Sequence, residues 1–298
     1  MKKIGFIGVG VMGAPMVHNL IKAGFCVSVF DLNPKAVAAA VEGGALAAET
    51  PAALAADADC VITMVTNGTH VEQALFGPDG VMCTIRPGTL YIDMSTIPPA
   101  VTDRVAKMMA AREIDMLDAP VGRTSQHAVE AKSLFIVGGA QRVLTRALPV
   151  LEALGSTIVH CGPVGSGIRM KIVNNFLASA TNVATSEALA LAEANGIDPE
   201  LARGIMLGTV AGQGHLSTTY PAKVLKDDLS PGFMIDLVVK DVGIAVDLAK
   251  SVGVNLSMGE TALATYAAAS AEGHAADDWT VIYALARKRL DENRRARG

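Results

Sequence analysis

The fold of this 298-residue chain is decided by the stretch Gly8-Val9-Gly10-Val11-Met12-Gly13, which matches the pattern Gly-x-Gly-x-x-Gly. It follows an apolar run at Lys3 to Ile7 that predicts a strand, and it opens a helical pattern that continues to Ala23. In that context the first glycine permits a tight turn, the second lets a pyrophosphate approach the backbone, and the third lets helix and strand pack closely. We therefore expect a dinucleotide site formed by Gly8, Gly10, Val11, Met12 and Gly13.

The kind of dinucleotide is indicated by the end of the next predicted strand, Val27 to Phe30, which is followed by Asp31. A carboxylate at this point accepts hydrogen bonds from ribose hydroxyls and repels the additional phosphate of NADP. The following residues, 32–34, contain no arginine that would bind such a phosphate. We expect NAD, with NADH as the reductant. Alternatively, Asp31 is the cap of a helix that opens at Pro34.

Strand and helix patterns alternate through the first half of the chain. Further short apolar runs typical of strands are 60–65, 90–92, 116–117, 133–137 and 157–160, with helical patterns such as 99–111 and 142–154 between them. This α/β alternation predicts a doubly wound parallel sheet, a Rossmann domain, over residues 1–162. A turn-rich segment, 162–167, precedes one long interdomain helix from Ile168 to about Ala194. No strand pattern follows, so residues 163–298 are predicted to form an all-α domain that serves substrate binding and oligomerisation.

Polar and apolar residues at two strand ends are expected to meet the ligand crevice of such a sheet. Met64 and Val65 end one strand, and Ser95 and Thr96 follow the next. We assign Met64, Val65 and Thr96 to the cofactor and Ser95 to the substrate. Alternatively, Ser95 or Thr96 is the N-cap of the helix that starts near Pro98.

Lys171, Asn174 and Asn175 share one face of the long predicted helix because they are spaced by three and four residues. An ammonium beside two amides suits proton donation to a carbonyl that is being reduced, since the arriving hydride creates an alkoxide. A lysine on a helix is also commonly just a solvated charge, and spacing alone leaves both interpretations open.

The chain resembles the β-hydroxyacid dehydrogenase family over nearly its whole length. The motifs that carry the resemblance are residues 8–13, 93–96, 118–121, 167–175 and 233–241. The resemblance implies that Lys171 is the catalytic acid and base, that Asn174 contacts the substrate, and that Asn175 supports the lysine. It also places Lys240 near the nicotinamide; taken alone, Lys240 could simply pair with Asp236.

One departure from the family concerns the substrate. After Asp118-Ala119-Pro120-Val121 the family usually continues Ser-Gly-Gly, whereas this chain has Gly122-Arg123-Thr124-Ser125. We expect Arg123 and Thr124 to bind the substrate, because a guanidinium can span two oxygens of an anion. Arg123 could instead face solvent or bind the cofactor phosphates.

This variant resembles the branch of the family that reduces 3-sulfolactaldehyde to 2,3-dihydroxypropane-1-sulfonate, also through residues 208–215 and 229–237. The resemblance implies that Arg123 and Asn174 hold the sulfonate. The branch tends to have a serine where this chain has Ala178, which puts a third sulfonate contact in doubt. His215, in one of the matching stretches, is expected to structure a loop. The alternatives are a reductase of a carboxylated semialdehyde, such as methylmalonate or succinate semialdehyde, and a non-catalytic NAD-binding scaffold.

Composition excludes several other classes of protein. The net charge of −4 and the absence of a long basic run argue against nucleic acid. The four cysteines form no Cys-x-x-Cys pair and have no accompanying His cluster, so we expect no metal, no disulfide framework and a cytoplasmic location. No apolar run of about 20 residues predicts a membrane span. The Ala-rich helical half suggests a homodimer or homotetramer.

Overall fold

The computed structural model describes residues 1–215, 217–226, 228 and 230–296. They form two compact units, Met1–Phe176 and a second unit that begins at Leu177. Leu229, which belongs to one of the stretches that carry the resemblance, lies outside the described residues. Within the described residues, no helix is both long and apolar enough to cross a membrane.

The first unit is built on a sheet of nine strands in the order β3-β2-β1-β4-β5-β6-β8-β7, with β9 beside β8. Their bounds are β1 Lys3–Ile7, β2 Cys26–Phe30, β3 Leu46–Ala47, β4 Cys60–Thr63, β5 Leu90–Asp93, β6 Asp115–Asp118, β7 Val121–Gly122, β8 Ser133–Gly138 and β9 Gly155–Gly162. The first six strands are parallel, as the alternation predicts. The carboxyl ends of β1, β4, β5 and β6 therefore lie along one edge, where ligands bind in such sheets.

Strand β8 departs from the predicted parallel arrangement, because it runs antiparallel to both β6 and β7. β6 and β7 run in the same direction and are separated only by residues 119–120. Residues 123–132, which include a short helix at Ser125–Val129, then connect β7 to β8. A connection this short joins antiparallel strands, whereas a parallel crossover needs a dozen or more residues.

Helices cover both faces of the sheet. Their bounds are α1 Gly13–Lys22, α2 Pro34–Glu42, α3 Pro51–Ala55, α4 Gly68–Phe76, α5 Pro99–Ala110, α6 Ser125–Val129 and α7 Gln141–Leu154; the next helix along the chain, α8, spans Ser166–Ala194. Alternate residues of a strand point to opposite faces. Phe6 of β1 accordingly packs in one buried cluster with α1 and α7, and Ile7 packs in a second cluster with α3, α4 and α5.

The long helix α8 is confirmed, but it begins at Ser166, two residues before the predicted start at Ile168. Residues 163–165 are all that separates β9 from it. Gly167 fits inside the first turn only because it lacks a side chain: a Cβ there would lie 2.3 Å from the Ile136 carbonyl oxygen of β8. The start of α8 is therefore packed directly onto the sheet.

The described part of the second unit is helical, with an isolated bridge between Met234 and Asp278 and no strand. After α8 its helices are α9 Pro199–Leu207, α10 Val210–Gln213, α11 Thr219–Ala222, α12 Ile235–Ser251, α13 Ser257–Ala269 and α14 Val281–Arg295. The buried Asp278 accepts hydrogen bonds from the Gly232 and Phe233 N–H groups and from Thr280. Although burial opposes it, these bonds lower the pKa of Asp278 to about 2.

Candidate active site

The glycine-rich turn between β1 and α1 has the geometry of a dinucleotide cradle. Gly8 has φ +97°, and a Cβ there would lie 2.3 Å from the Met64 carbonyl oxygen. A Cβ at Gly13 would lie 1.9 Å from the Gly8 carbonyl oxygen, so both positions admit only glycine. Gly10 instead faces open space, since a Cβ at this position would meet no atom within 4 Å. Its backbone is therefore free to meet a pyrophosphate.

Next to this turn lies a cavity of about 600 Å³. Gly8, Gly10, Asp31, Met64 and Val65 contribute to its lining, as expected for the cofactor residues. Val11 and Met12 lie outside the lining; Val11 is 80% exposed and Met12 is half-buried. The cradle and the cavity together fit the pyrophosphate and adenosine parts of a dinucleotide.

Asp31 is held in place by two backbone groups, because its carboxylate oxygens accept hydrogen bonds from Val9 N and Asn33 N, both at 2.8 Å. The alternative in which Asp31 caps α2 is wrong. Asn33 is the N-cap, and its side chain accepts a hydrogen bond from Lys35 N. Asp31 thus lines the cavity with a carboxylate whose position is set by the glycine-rich turn itself.

Two lining residues on α4, His70 and Gln73, were not predicted from the sequence. The His70 ring nitrogen Nδ1 lies 2.8 Å from the Thr66 hydroxyl. The signal that could have found them is the Asn67 N-cap, which accepts a hydrogen bond from His70 N and starts α4 at the strand edge.

Ser95 and Thr96 follow β5 and differ in exposure. The Ser95 side chain is buried; its hydroxyl accepts a hydrogen bond from Val65 N at 3.0 Å and lies 3.4 Å from the Thr63 carbonyl oxygen. These bonds hold the loop that lines the cofactor cavity, and the predicted substrate contact of Ser95 stays a prediction. Thr96 is exposed. Neither residue caps α5, whose N-cap is Pro98 with no side-chain hydrogen bond.

Asp93, directly before this segment, is a buried carboxyl group. Its Oδ1 accepts hydrogen bonds from Ser95 N at 2.9 Å and from the Thr63 hydroxyl at 3.0 Å. Burial raises the pKa of Asp93 to about 6, although these bonds favour the charged form; the carboxylate of Asp118 on the neighbouring strand raises it further.

The start of α8 is tied to the end of β6 by Asp118. Its two carboxylate oxygens accept hydrogen bonds from Gly165 N at 2.6 Å and from Ile168 N at 2.7 Å. These are N–H groups that the first turn of a helix leaves without a partner in the helix, so Asp118 acts as an N-cap supplied from the sheet. Burial raises the pKa of Asp118, and the two N–H groups oppose that rise.

Lys171 lies one turn beyond Ile168 on α8 and is half-buried. Its ammonium makes no hydrogen bond or ion pair with the residues that the structure describes, and burial lowers its pKa. Asn174 and Asn175 follow on the same helix, and the Asn174 amide donates to the Asn175 side-chain oxygen at 3.4 Å. The ammonium is thus available to donate a hydrogen bond to a bound molecule, and its catalytic role stays a prediction.

Arg123 and Thr124 lie between β7 and α6 and are exposed. The Arg123 guanidinium donates to the Lys132 carbonyl oxygen at 2.6 Å and to the hydroxyls of Ser156 and Thr157. The side chain is therefore not simply solvated, because three protein oxygens hold it. The Thr124 hydroxyl lies 2.9 Å from the His127 ring.

Two predicted residues lie in the second unit. Lys240, on α12, pairs with Asp241 at 3.1 Å rather than with Asp236, which accepts a hydrogen bond from Ser270. The His215 ring packs edge-on against Trp279 with their centroids 4.8 Å apart. The site role of Lys240 stays a prediction.

Comparison with known proteins identifies the family. Residues 3–162 match the model described as the NAD binding domain of 6-phosphogluconate dehydrogenase. Residues 165–286 match that of the NAD-binding domain of NADP-dependent 3-hydroxyisobutyrate dehydrogenase. The 3-sulfolactaldehyde reductase of Escherichia coli (strain K12) is 44% identical over 95% of both chains. The chain belongs to the β-hydroxyacid dehydrogenase family.

Other relatives of this β-hydroxyacid dehydrogenase act on different compounds. The NAD-dependent L-serine dehydrogenase of Pseudomonas aeruginosa is 38% identical over 96% of this chain and 98% of the relative. A solved structure of Mycobacterium tuberculosis 3-hydroxyisobutyrate dehydrogenase with L-serine is 34% identical, with a TM-score of 0.68 over 96% of this chain and 99% of that chain. Membership in the family makes the chain an NAD-dependent oxidoreductase of small hydroxy or aldehyde compounds, which argues against the non-catalytic scaffold.

Proposed function

We propose that this β-hydroxyacid dehydrogenase reduces 3-sulfolactaldehyde to 2,3-dihydroxypropane-1-sulfonate with NADH, and catalyses the reverse reaction. The observation that carries the proposal is the guanidinium of Arg123, two residues after the motif at residues 118–121. A guanidinium offers several hydrogen-bond donors in a planar fork and carries a permanent charge, which suits a fully ionised sulfonate. The 44% identity with the E. coli 3-sulfolactaldehyde reductase supports the same substrate.

In this proposal, Lys171 protonates the oxygen of the aldehyde as it is reduced. The bound cofactor would supply the hydride to the aldehyde carbon. The ammonium of Lys171 donates a proton to the oxygen that gains negative charge, and takes one back in the reverse direction. Because burial lowers the pKa of Lys171, proton release from its ammonium is easier than from a solvated lysine.

The amides of Asn174 and Asn175 would orient the substrate without introducing a competing charge. Asn175 makes no hydrogen bond with Lys171 in this structure, and it would support the ammonium once the substrate is bound. Both asparagines are on the same helix as Lys171, and the hydrogen bond between their side chains limits their rotation. We propose that Asn174 shares the sulfonate with Arg123 and that Thr124 lies beside it. Lys240 and Thr96 would contact the nicotinamide end of the cofactor.

A second candidate function is the reduction of a carboxylated semialdehyde. In that reaction Arg123 would bind the carboxylate of the substrate. Ala178 favours this alternative, because it lacks the hydroxyl expected for a third sulfonate contact. The relatives named for L-serine and 3-hydroxyisobutyrate support it as well.

Steady-state kinetics separates the two candidates. NADH oxidation is followed with 3-sulfolactaldehyde, methylmalonate semialdehyde and succinate semialdehyde, and kcat/KM is compared. We expect the sulfonate to be preferred by at least about tenfold, equivalent to about 1.4 kcal/mol. Equal or better turnover of a carboxylated semialdehyde would remove the sulfonate assignment.

We also propose that the enzyme is a homodimer or homotetramer. Leu201 and Ile205 on α9 are spaced by four residues and are 58% and 60% exposed, which is typical of an apolar stripe that a second copy covers. Light scattering after gel filtration tests this, and a mass of 30.8 kDa, that of one chain, would contradict it.

A further inference from the structure

The backbone of Arg123 is in a conformation that favours glycine. Its φ is +71°, in the left-handed region, where the Cβ of an ordinary residue crowds its own backbone. Residues other than glycine persist there when their surroundings compensate for the strain. The contacts of the Arg123 side chain show what the compensation is.

Three oxygens hold one end of the Arg123 guanidinium. Nη1 donates to the Lys132 carbonyl oxygen at 2.6 Å and to Ser156 Oγ at 3.0 Å, and Nη2 donates to Thr157 Oγ1 at 3.1 Å. Each of these bonds has a charged donor, which makes it stronger than a bond between neutral groups.

The two hydroxyls are adjacent in sequence, at the start of β9, and a local irregularity of the strand brings them to the same group. Successive side chains of a regular strand point to opposite faces of the sheet. Here the pairing of β8 with β9 shifts by one residue: Ser133 pairs with Gly155, and Leu134 pairs with Thr157. Ser156 is the additional residue of this bulge. Bulges redirect the side chains of the strand that carries them.

The held end of the guanidinium leaves its other edge available. Arginine has five N–H donors, one on Nε and two on each Nη. With two acceptors at Nη1 and one at Nη2, the Nε hydrogen and one Nη2 hydrogen have no partner among the residues that the structure describes. Nε and Nη2 form the side edge of the guanidinium, which can donate two parallel hydrogen bonds to two oxygens of one anionic group.

We propose that Ser156 and Thr157 are positioning residues that hold Arg123 so that its Nε–Nη2 edge can bind the anionic group of the substrate. They act through Arg123 and do not contact the substrate themselves. The inference rests on the proposed role of Arg123 as the anchor of the sulfonate or carboxylate. It adds that affinity for acidic aldehydes depends on the bulge in β9.

The test compares the wild-type enzyme with Ser156→Ala/Thr157→Val on two aldehydes of the same carbon skeleton. 3-Sulfolactaldehyde carries the anionic group, and glyceraldehyde has a neutral hydroxyl in its place. We expect KM for 3-sulfolactaldehyde to rise by about tenfold, since a loosely held guanidinium must be ordered on binding. We expect kcat with both substrates, and KM for glyceraldehyde, to stay within about twofold of the wild-type values.

Three further variants make the test specific. Ser156→Thr and Thr157→Ser keep the hydroxyls and should retain the low KM. Thr145→Val is the matched control, because Thr145 is exposed on α7 and, among the described residues, its hydroxyl bonds only to the Gln141 carbonyl oxygen of the same helix. Thermal unfolding is measured for each variant, and Ser156→Ala alone is used if the double variant does not fold.

Arg123→Ala separates failure of this inference from failure of the proposed function. If Arg123→Ala raises KM for 3-sulfolactaldehyde and the hydroxyl variants do not, the positioning role of Ser156 and Thr157 is wrong, and the proposed binding of the anionic group by Arg123 is supported. If Arg123→Ala changes KM for none of the acidic aldehydes, Arg123 does not bind the anionic group. The positioning role of Ser156 and Thr157 is then wrong as well. In the Arg123→Ala background, loss of the hydroxyls should have no further effect. A further rise in KM would show that they bind the anion directly and overturn the inference.

Discussion

Asp118 and Ile168 are joined by a 2.7 Å hydrogen bond from the Ile168 backbone N–H to Oδ2 of the carboxylate. This bond links the end of β6 to the first turn of α8, and the proposed proton donor, Lys171, lies one turn further along the same helix. The position of Lys171 therefore depends on a side chain of the sheet. Asp93 and Ser95, at the end of the neighbouring strand, are likewise held by groups of β4 and the loop after it.

Asp118→Asn should destabilise the protein by about 1–3 kcal/mol and lower kcat, because an amide offers only one oxygen to the two N–H groups and turns an NH2 group toward the other. Urea unfolding and steady-state kinetics measure the two effects. Asp115→Asn is the matched control on the same strand, since its carboxylate pairs with Arg142 and Arg146 at the surface. It should change stability by less than about 1 kcal/mol. Equal effects of the two variants would contradict the capping role.

Lys171→Ala should lower kcat for aldehyde reduction by about 10²–10⁴-fold while the variant still binds NADH. In the wild-type enzyme, reduction requires the charged ammonium. Its kcat should therefore fall as the pH rises through the pKa of Lys171, which burial places below the usual 10.5. The pH profile of kcat measures this fall. Lys22→Ala, on the exposed end of α1, is the control for the Lys171→Ala substitution. Near-normal turnover by Lys171→Ala would remove the lysine from the chemistry.

Asp93→Asn should change how stability depends on pH. The pKa of Asp93 in the folded protein, about 6, lies above its ordinary value of 3.8. The stabilisation linked to its protonation is fully present below about pH 4 and is lost as the pH rises to about 6. The free energy of unfolding of Asp93→Asn, relative to wild type, should thus increase over this range, by at most about 3 kcal/mol. Urea unfolding at several pH values measures it, and a difference that is constant with pH would contradict the prediction.

Asp31→Ser/Leu32→Arg should raise the ratio of kcat/KM for NADPH to that for NADH by at least about tenfold. Serine removes the carboxylate that is expected to repel a ribose phosphate and keeps a hydroxyl at this position. Leu32, 79% exposed beside the cavity, is placed for an arginine to reach that phosphate. Leu32→Arg alone is the control and should keep the preference for NADH. An unchanged ratio in the double variant would show that Asp31 does not select the cofactor.

Arg123→Gly should be more stable than Arg123→Ala by about 0.5–1 kcal/mol. Both variants lose the guanidinium, but glycine relieves the left-handed strain at φ +71°, which is worth about 1–2 kcal/mol. Because glycine also makes the unfolded chain more flexible, part of this stabilisation is offset. Both variants should bind acidic aldehydes equally weakly. Thermal unfolding compares their stabilities, and an alanine variant at least as stable as the glycine variant would show that this backbone is not strained.

The glycine-rich turn was predictable in detail because its chemistry is local. Gly13 is required by the backbone of Gly8, and Gly8 by the Met64 backbone just after the neighbouring strand; the pattern reports both requirements directly. The antiparallel β8 was not predictable from apolar runs, since a run of this length has the same composition in either direction. Its direction follows from the short connection through α6.

The amino-acid pattern alone was enough to specify the α/β alternation, the dinucleotide cradle, the long helix and the shared face of Lys171 and Asn174, because each depends on residues close together in the chain. The partners of Asp118, Ser95 and Arg123 became known only from the packed fold. Hydrogen bonds such as those of Val65 with Ser95 and of Asp118 with Ile168 cross between elements that are 30 and 50 residues apart in the chain. The sequence does not indicate which distant backbone group a given carboxylate, hydroxyl or guanidinium will contact. That choice is made when the sheet and its helices pack.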